Sequence, residues 1–348
     1  MHLTLFVPQL FWPEPDDQVA LHKLAPRKLD TLLARGRLSR SPARPYEIAL
    51  AELFGLDAAA PFGALRLAGE LLQPAAPDGC WLCADPVHLR FHHQRMVLAD
   101  ASAFPLEMGE AQHIATDLNR IFPDMGQFHV AHPQRWYLRT NQEAAPDASI
   151  APLSAISGRR VDGDLPPSAL AAQLTRWQNE IQMYLHDHPV NIARSNAGQP
   201  AVNSLWFWGP GRQPAITAQP FHTVWTGSPL AAGLARLAGL KVAPPPTDLS
   251  AIIAHTLPRS RAMVVLDDLV TPVLHDDGHR WREILETLEA QWFAPLLGAT
   301  RVHQLDLIAP TIFGQLQWTL TASDRWKLWR RPTPLPARIR HLASQTPA

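Results

Sequence analysis

Cysteine is nearly missing: the 348 residues contain two, so no disulfide framework holds this fold. Charge of one sign is missing too. Lys plus Arg number 31 and Asp plus Glu number 31, and a formal net charge of zero argues against a general nucleic-acid or anionic-membrane binder. No apolar run approaches the roughly 20 residues needed to cross a bilayer. The opening MHLTLFVPQLFWPEP lacks the basic leader and long apolar core of a signal peptide, so a cytoplasmic location is expected. Charged residues are only 18% and hydrophobic ones 46%, which excludes a disordered chain. A globular protein remains, long enough for one large α/β domain or two smaller ones.

What is present has a readable order. His2–Val7 is an apolar run typical of a buried first strand, stopped by Pro8. Helical pieces follow over 18–56, with Pro45-Tyr46 as a helix start. Trp81–Ala84 and Val87–Phe91 read as strand, with Met96–Ala99 returning antiparallel, and Phe128–Val130 with Arg135–Leu138 as a second hairpin. Between the hairpins, 106–122 has helical spacing, with Ile114, Leu118 and Ile121 on one face. Residues 141–168, rich in Ala, Pro, Asp and Ser, are the expected internal joint. Beyond them strand and helix alternate. A helix carries Leu170, Leu174, Trp177, Ile181 and Leu185 and ends at His188 before Pro189. Then come a strand Asn203–Trp208, a helix Leu230–Leu237, a strand Ala262–Asp268, a helix Trp281–Leu297, and strands Val302–Ile308, Gln315–Thr321 and Trp326–Trp329. That alternation predicts an α/β fold: a mostly parallel sheet with helices on both faces and β-hairpin insertions in the N-terminal half. A single domain over 1–331 and a loose tail over 332–348 are expected.

The stretch HDHPVNIARSNAGQPAVNSLWFWGPG, residues 186–211, sets polar side chains ahead of an apolar strand that breaks at Gly209-Pro210-Gly211. Loops leaving the carboxyl ends of parallel strands are where α/β proteins bind ligands. On that reading His188, Asn191, Arg194, Asn203, Gly209 and Gly211 are substrate-binding candidates. The plainer reading is that Trp206 and Trp208 share one side of a strand and fill core.

Cys80 and Cys83 form a CxxC, the spacing of a redox pair or half a zinc site. Zinc needs four ligands and no second CxxC exists, although His88, His92 and His93 follow. Residues three apart on a strand point to opposite faces, so two buried strand thiols is the better reading. A second cluster, AMVVLDDLVTPVLHDDGHRW, places Asp267, Asp268, His275, Asp276, Asp277 and His279 at and beyond the end of a buried strand. Of these Asp268, His275, Asp277 and His279 are metal candidates, since carboxylate and imidazole hold divalent cations in phosphate chemistry. Ordinary turn and cap roles compete evenly, and Asp277 could cap the helix that follows.

HPVN-x-x-R, NSLWFWGPG, CADPVHLR, RWYL and NEIQMYLHDHPVN resemble archaeal-type cofactor-independent phosphoglycerate mutases, of the alkaline-phosphatase-like superfamily. They are most similar to a bacterial branch of phosphoglycerate mutase-like or RpfE-type regulatory proteins. LHDDGH, residues 274–279, resembles the family's acidic segment ending in Gly-His. The resemblance spans most of residues 80–300. It implies phosphoryl transfer by two divalent cations, usually manganese, with a serine accepting the phosphate and Asp and His holding the ions. It also implies a small phosphorylated ligand, with Arg194 gripping a phosphate or carboxylate by two prongs. Nucleic acid and membrane are not implied as partners.

The chain departs from the family pattern in ways that bear on chemistry. The first strand ends in Pro8-Gln9 where the family has Asp-Gly, and Asp16 and Asp17 come too late to replace it. No N-terminal serine matches the nucleophile, Leu305–Pro310 offers only Asp306, and His275 replaces an Asp. Each cation needs roughly four to six donors, so losing several ligands predicts a degenerate site with a regulatory or ligand-binding role. The alternative is an active metal-dependent phosphotransferase or hydrolase using Asp268, His275, Asp277 and His279. Purely structural interaction ranks third. Convergence of Asp85, His88, His188, Asn191, Asp268, His275 and His279 on one pocket would favour the enzyme.

Overall fold

The computed structural model describes residues 1–70, 79–92, 95–140, 150–157 and 169–345. It falls into two compact units, one formed by Met1–Phe54 with Thr217–Ala348 and the other by Gly55–Ile216. The joint expected near 141–168 lies largely outside the described residues.

The first unit is built on a seven-stranded sheet. Its strands are β1 (His2–Phe6), β2 (Arg37–Ser41), β8 (Thr223–Trp225), β9 (Lys241–Ala243), β10 (Arg261–Val265), β11 (Gln304–Thr311) and β12 (Gly314–Thr321), in the order β2-β12-β11-β1-β10-β8-β9. Pairings β11-β1, β1-β10, β10-β8 and β8-β9 are parallel; β11-β12 and β12-β2 are antiparallel. The sheet is thus mixed and mostly parallel, as the alternation of strand and helix predicts. β1 lies between two parallel neighbours and is buried on both faces from Leu3 to Phe6, Thr4 included. Leu3, Leu5 and Phe6 are fully buried, each worth about 1.5–3 kcal/mol.

Two expectations for this unit are corrected. The chain after Pro332 is not loose: Leu335–Ser344 is a helix that buries Leu335, Ile339 and Leu342 in the core. Their spacing of three to four residues makes one apolar face, enough to dock so short a segment. Trp326–Trp329 is not a strand but follows a 3-10 turn, Ala322–Trp326, closed by a reciprocal cap between Thr321 and Asp324.

The second unit holds a five-stranded antiparallel sheet of β3 (Cys80–His92), β4 (Arg95–Asp100), β5 (Gln127–His132), β6 (Arg135–Thr140) and β7 (Ser204–Gly211). The two predicted hairpins are β3-β4 and β5-β6, joined as β4-β3-β6-β5, with β7 also on β3. Cys80 and Cys83 are buried on β3 and form no disulfide. The helix Met108–Ile121 buries Ile114 and Leu118, while Ile121, in its last turn, is exposed. The alternation of strand and helix predicts β7 as a strand of the parallel sheet. It instead pairs antiparallel with β3, Ala84 opposite Phe207 and Asp85 opposite Trp206. Among the described residues no helix is long and apolar enough to cross a membrane.

Candidate functional site

Parallel strands present all their carboxyl ends along one edge, and the first unit has a cavity of about 450 Å³ there. Gly227 follows β8, Pro245 follows β9, and Leu266, Asp267 and Asp268 follow β10. The opposite wall is the helix Gly278–Leu288, which supplies Arg280, Glu283, Ile284 and Thr287. It runs into a π-helical turn, Glu289–Phe293, which contributes Gln291 and Trp292. Such turns widen a helix by one residue and recur at functional sites.

The electrostatics of this cavity are acidic. Arg280 is tied to Glu283 at 2.9 Å, and among the described residues Asp267 and Asp268 have no cation of their own within ion-pair distance. Burial, reinforced by the neighbouring charge of Asp268, pushes the Asp267 pKa up to about 6. Asp267 therefore takes up a proton near pH 6.

The remaining metal candidates do not join it. Asp277 caps the helix Gly278–Leu288 by accepting from the Arg280 backbone N–H at 2.9 Å. His275 ends the preceding helical turn, Val270–Leu274, and His279 is exposed on the next helix. No three of Asp268, His275, Asp277 and His279 bring ligand atoms within 4.8 Å of one another. Asp306 sits beside Thr4 in mid-strand, not at a strand end, and accepts from His2 at 2.5 Å and Thr319 at 2.6 Å.

The polar residues of 186–211 all lie in the second unit, where Asn191, Arg194 and Asn203 hold backbone. Asn191 donates to the Leu185 and Val202 carbonyls, 2.8 Å each, and accepts from Val202 N–H at 2.9 Å. Arg194 is 2% exposed, and each of its three nitrogens has an acceptor: Pro200 O at 2.8 Å, Glu110 at 2.7 Å and Pro105 O at 2.7 Å. Asn203 brackets Leu89, accepting from its N–H at 2.7 Å and donating to its carbonyl at 2.8 Å. Gly209 and Gly211 admit the close approach of Phe62 and Pro61, whose Cβ atoms would lie 2.4 and 2.6 Å from an added Cβ. Asp85 is buried in a charge-balanced network. Arg66 donates to both its oxygens, at 2.8 and 2.6 Å, and Trp208 donates at 2.8 Å. Tyr137 and Arg135 donate to Glu70 at 2.6 and 2.8 Å. Burial opposes ionisation of Glu70, but these hydrogen bonds outweigh it and hold its pKa below the usual value. His88 contacts the Ala201 carbonyl at 2.8 Å.

His188 belongs to a different cluster. Its ring Nδ1 accepts from Val190 N–H at 3.2 Å, which places the proton on Nε2, facing Asp117 at 3.2 Å. Burial lowers its pKa, outweighing the hydrogen bond and charge of Asp117. His113, one helical turn before Asp117, lies 3.7 Å from the same carboxylate oxygen. Among the described residues this trio is the group whose ligand atoms all fall within 4.8 Å. Ligands about 2.1 Å from a tetrahedral cation lie about 3.4 Å apart, so two imidazoles and a carboxylate here can hold a zinc-type ion. Holding it would move the His188 proton to Nδ1 and break the cap on Val190. Sequence reasoning passed over His113 and Asp117, although an i,i+4 His/Asp pair on a predicted helix was the available signal.

Fold and sites together define an α/β protein with a mostly parallel sheet and an acidic cavity on its carboxyl edge. Comparison with known proteins places it further. The chain is distantly similar to cofactor-independent phosphoglycerate mutases. It is 24% identical over 200 residues to the 2,3-bisphosphoglycerate-independent phosphoglycerate mutase of Methanosarcina mazei, covering 55% of this chain and 49% of that one. It is 26% identical over 242 residues to a probable enzyme of the same name from Geobacter sulfurreducens, covering 62% and 57%. The chain thus spans about half the length of these curated relatives. The PH0037 protein of Pyrococcus horikoshii shares the fold, with a TM-score of 0.57 at 14% identity over 99% of this chain and 96% of that one. No protein-family profile matches.

Proposed function

We propose that this is a phosphoglycerate mutase-like protein of the alkaline-phosphatase-like superfamily, in its RpfE-type bacterial branch. On this reading its two-metal site is degenerate and its role is regulatory or ligand-binding. One observation carries the reading. Of the parallel strand ends, β10 supplies the carboxylates Asp267 and Asp268, whereas β1 ends in Pro8-Gln9 and β11 in Pro310-Thr311. Two adjacent carboxylates from one strand fall short of the donors two cations require. The likeness to cofactor-independent mutases supports the family, and the residues at the strand ends support the loss.

The test is turnover of 3-phosphoglycerate and of a chromogenic phosphate ester by the full chain, with and without manganese, alongside metal analysis. No turnover is expected in either assay. Turnover abolished by Asp268→Asn or His279→Ala, with folding intact, would overturn the proposal in favour of an active phosphotransferase with a rearranged ligand set. Metal that disappears in His113→Ala is assigned to the His113–Asp117–His188 group and leaves the reading standing.

A further inference from the structure

A second cavity of the first unit, about 480 Å³, has the opposite electrostatic character. Arg35 and Arg37 come from the end of the helix Arg27–Arg35 and the start of β2; Lys327, Arg330 and Arg331 follow the 3-10 turn; Arg338 projects from the terminal helix. Among the described residues no carboxylate lines it, in a chain whose acids and bases are equal in number. Lys327 is paired with Asp324 at 2.5 Å, but none of the five arginines makes an ion pair among the described residues.

The hydrogen-bond inventory points the same way. Arg35 Nε, Arg338 Nε and the Nε1 of Trp318, which also lines the cavity, are buried without a partner. All three are donors; Asp30 Oδ1, which interacts with Arg338, is also unpartnered but does not line the cavity, so the group missing from the cavity is an acceptor. Burial lowers the Arg338 pKa, with Asp30 only partly opposing it, and a bound anion would relieve that cost. An arginine-rich surface is more often simply solvated. This one is concave, and its walls contain buried donors without a partner among the described residues.

We propose that this cavity binds a multiply phosphorylated small molecule. Guanidinium forks match phosphate oxygens in pairs, and six cationic side chains exceed what one phosphate neutralises. The volume lies within the range of small-molecule sites and leaves room for more than one phosphate. Trp326, Leu328 and Trp329 beside the cavity are 76, 71 and 73% exposed, so the same phosphate chemistry could be presented by a lipid headgroup. The site does not rest on the function proposed above, whose cavity is acidic.

The experiment measures binding of inorganic phosphate and pyrophosphate to the full chain by calorimetry over a salt series. A second arm measures sedimentation with phosphatidylcholine vesicles with and without cardiolipin. Pyrophosphate is expected to bind more tightly than phosphate, and more weakly as salt rises. Arg330→Glu with Arg331→Glu, both exposed positions, is expected to weaken it by roughly tenfold or more at unchanged melting temperature. Asp267→Asn leaves it unchanged. Binding confined to cardiolipin vesicles and lost in the double variant supports the site with a lipid source. Absence of binding in both arms, binding indifferent to the double variant, or preference for a single-stranded oligonucleotide over pyrophosphate would overturn the proposal.

Discussion

Asp267 takes up its proton near pH 6 because its half-buried carboxyl is desolvated and lies beside the charge of Asp268. Its folded pKa is raised above the unfolded value, so its contribution to stability is fully present below about pH 4 and is lost as pH rises through about 6. Asp267→Asn should therefore stabilise the protein at pH 7.5 by up to about 3 kcal/mol and change little at pH 4. Denaturant titrations at the two pH values decide it; an equal effect at both would refute the assignment. At this scale residue types are legible and partners are not. Asn191, Arg194 and Asn203 stand out in the sequence as a polar cluster. Glu110, Pro105 and Leu89, which consume two of them, lie 84, 89 and 114 residues away. A cluster of donors reads as a ligand site until the chain is folded back upon it.

Among the elements, β7 shows how much a strand's neighbours decide. Its apolar run is correctly a strand, and its tryptophans are core: Trp206 donates to Ala151 O at 3.1 Å and Trp208 to Asp85. The helix Phe62–Leu67 packs against its end, where Gly209 has φ of +59° and faces Phe62. Gly209→Ala should cost about 2–4 kcal/mol, from the clash and the left-handed backbone together. A loss below about 0.5 kcal/mol in chemical denaturation would mean the helix yields freely, contrary to this packing. The predicted helix over 281–297 shows the complementary limit. Its apolar face, Trp281, Leu285, Leu288 and Trp292, is buried as its periodicity requires. The π turn that carries Gln291 and Trp292 to the cavity has no mark in that pattern.

For the whole molecule, the clearest expectation concerns the C-terminal helix. Ending the chain at Pro334 would expose the surface that Leu335, Ile339 and Leu342 cover, at a cost of about 4–9 kcal/mol, comparable with a domain's entire stability. The truncated chain should be insoluble or lose its cooperative transition in calorimetry. A soluble product with an unchanged transition would return this segment to the status of a loose tail.

Composition and apolar periodicity determined, unaided, that the chain is globular and α/β, where most strands and helices lie, and that Cys80 and Cys83 are core thiols. Those properties depend on solvent and on neighbours a few residues away. Tertiary structure alone decided which sheet β7 joins and that the terminal helix docks. It also decided which polar groups are used up in holding backbone, and which charged groups gather around each cavity. Pairing and charge convergence depend on residues far apart in sequence, and local pattern carries no record of that distance.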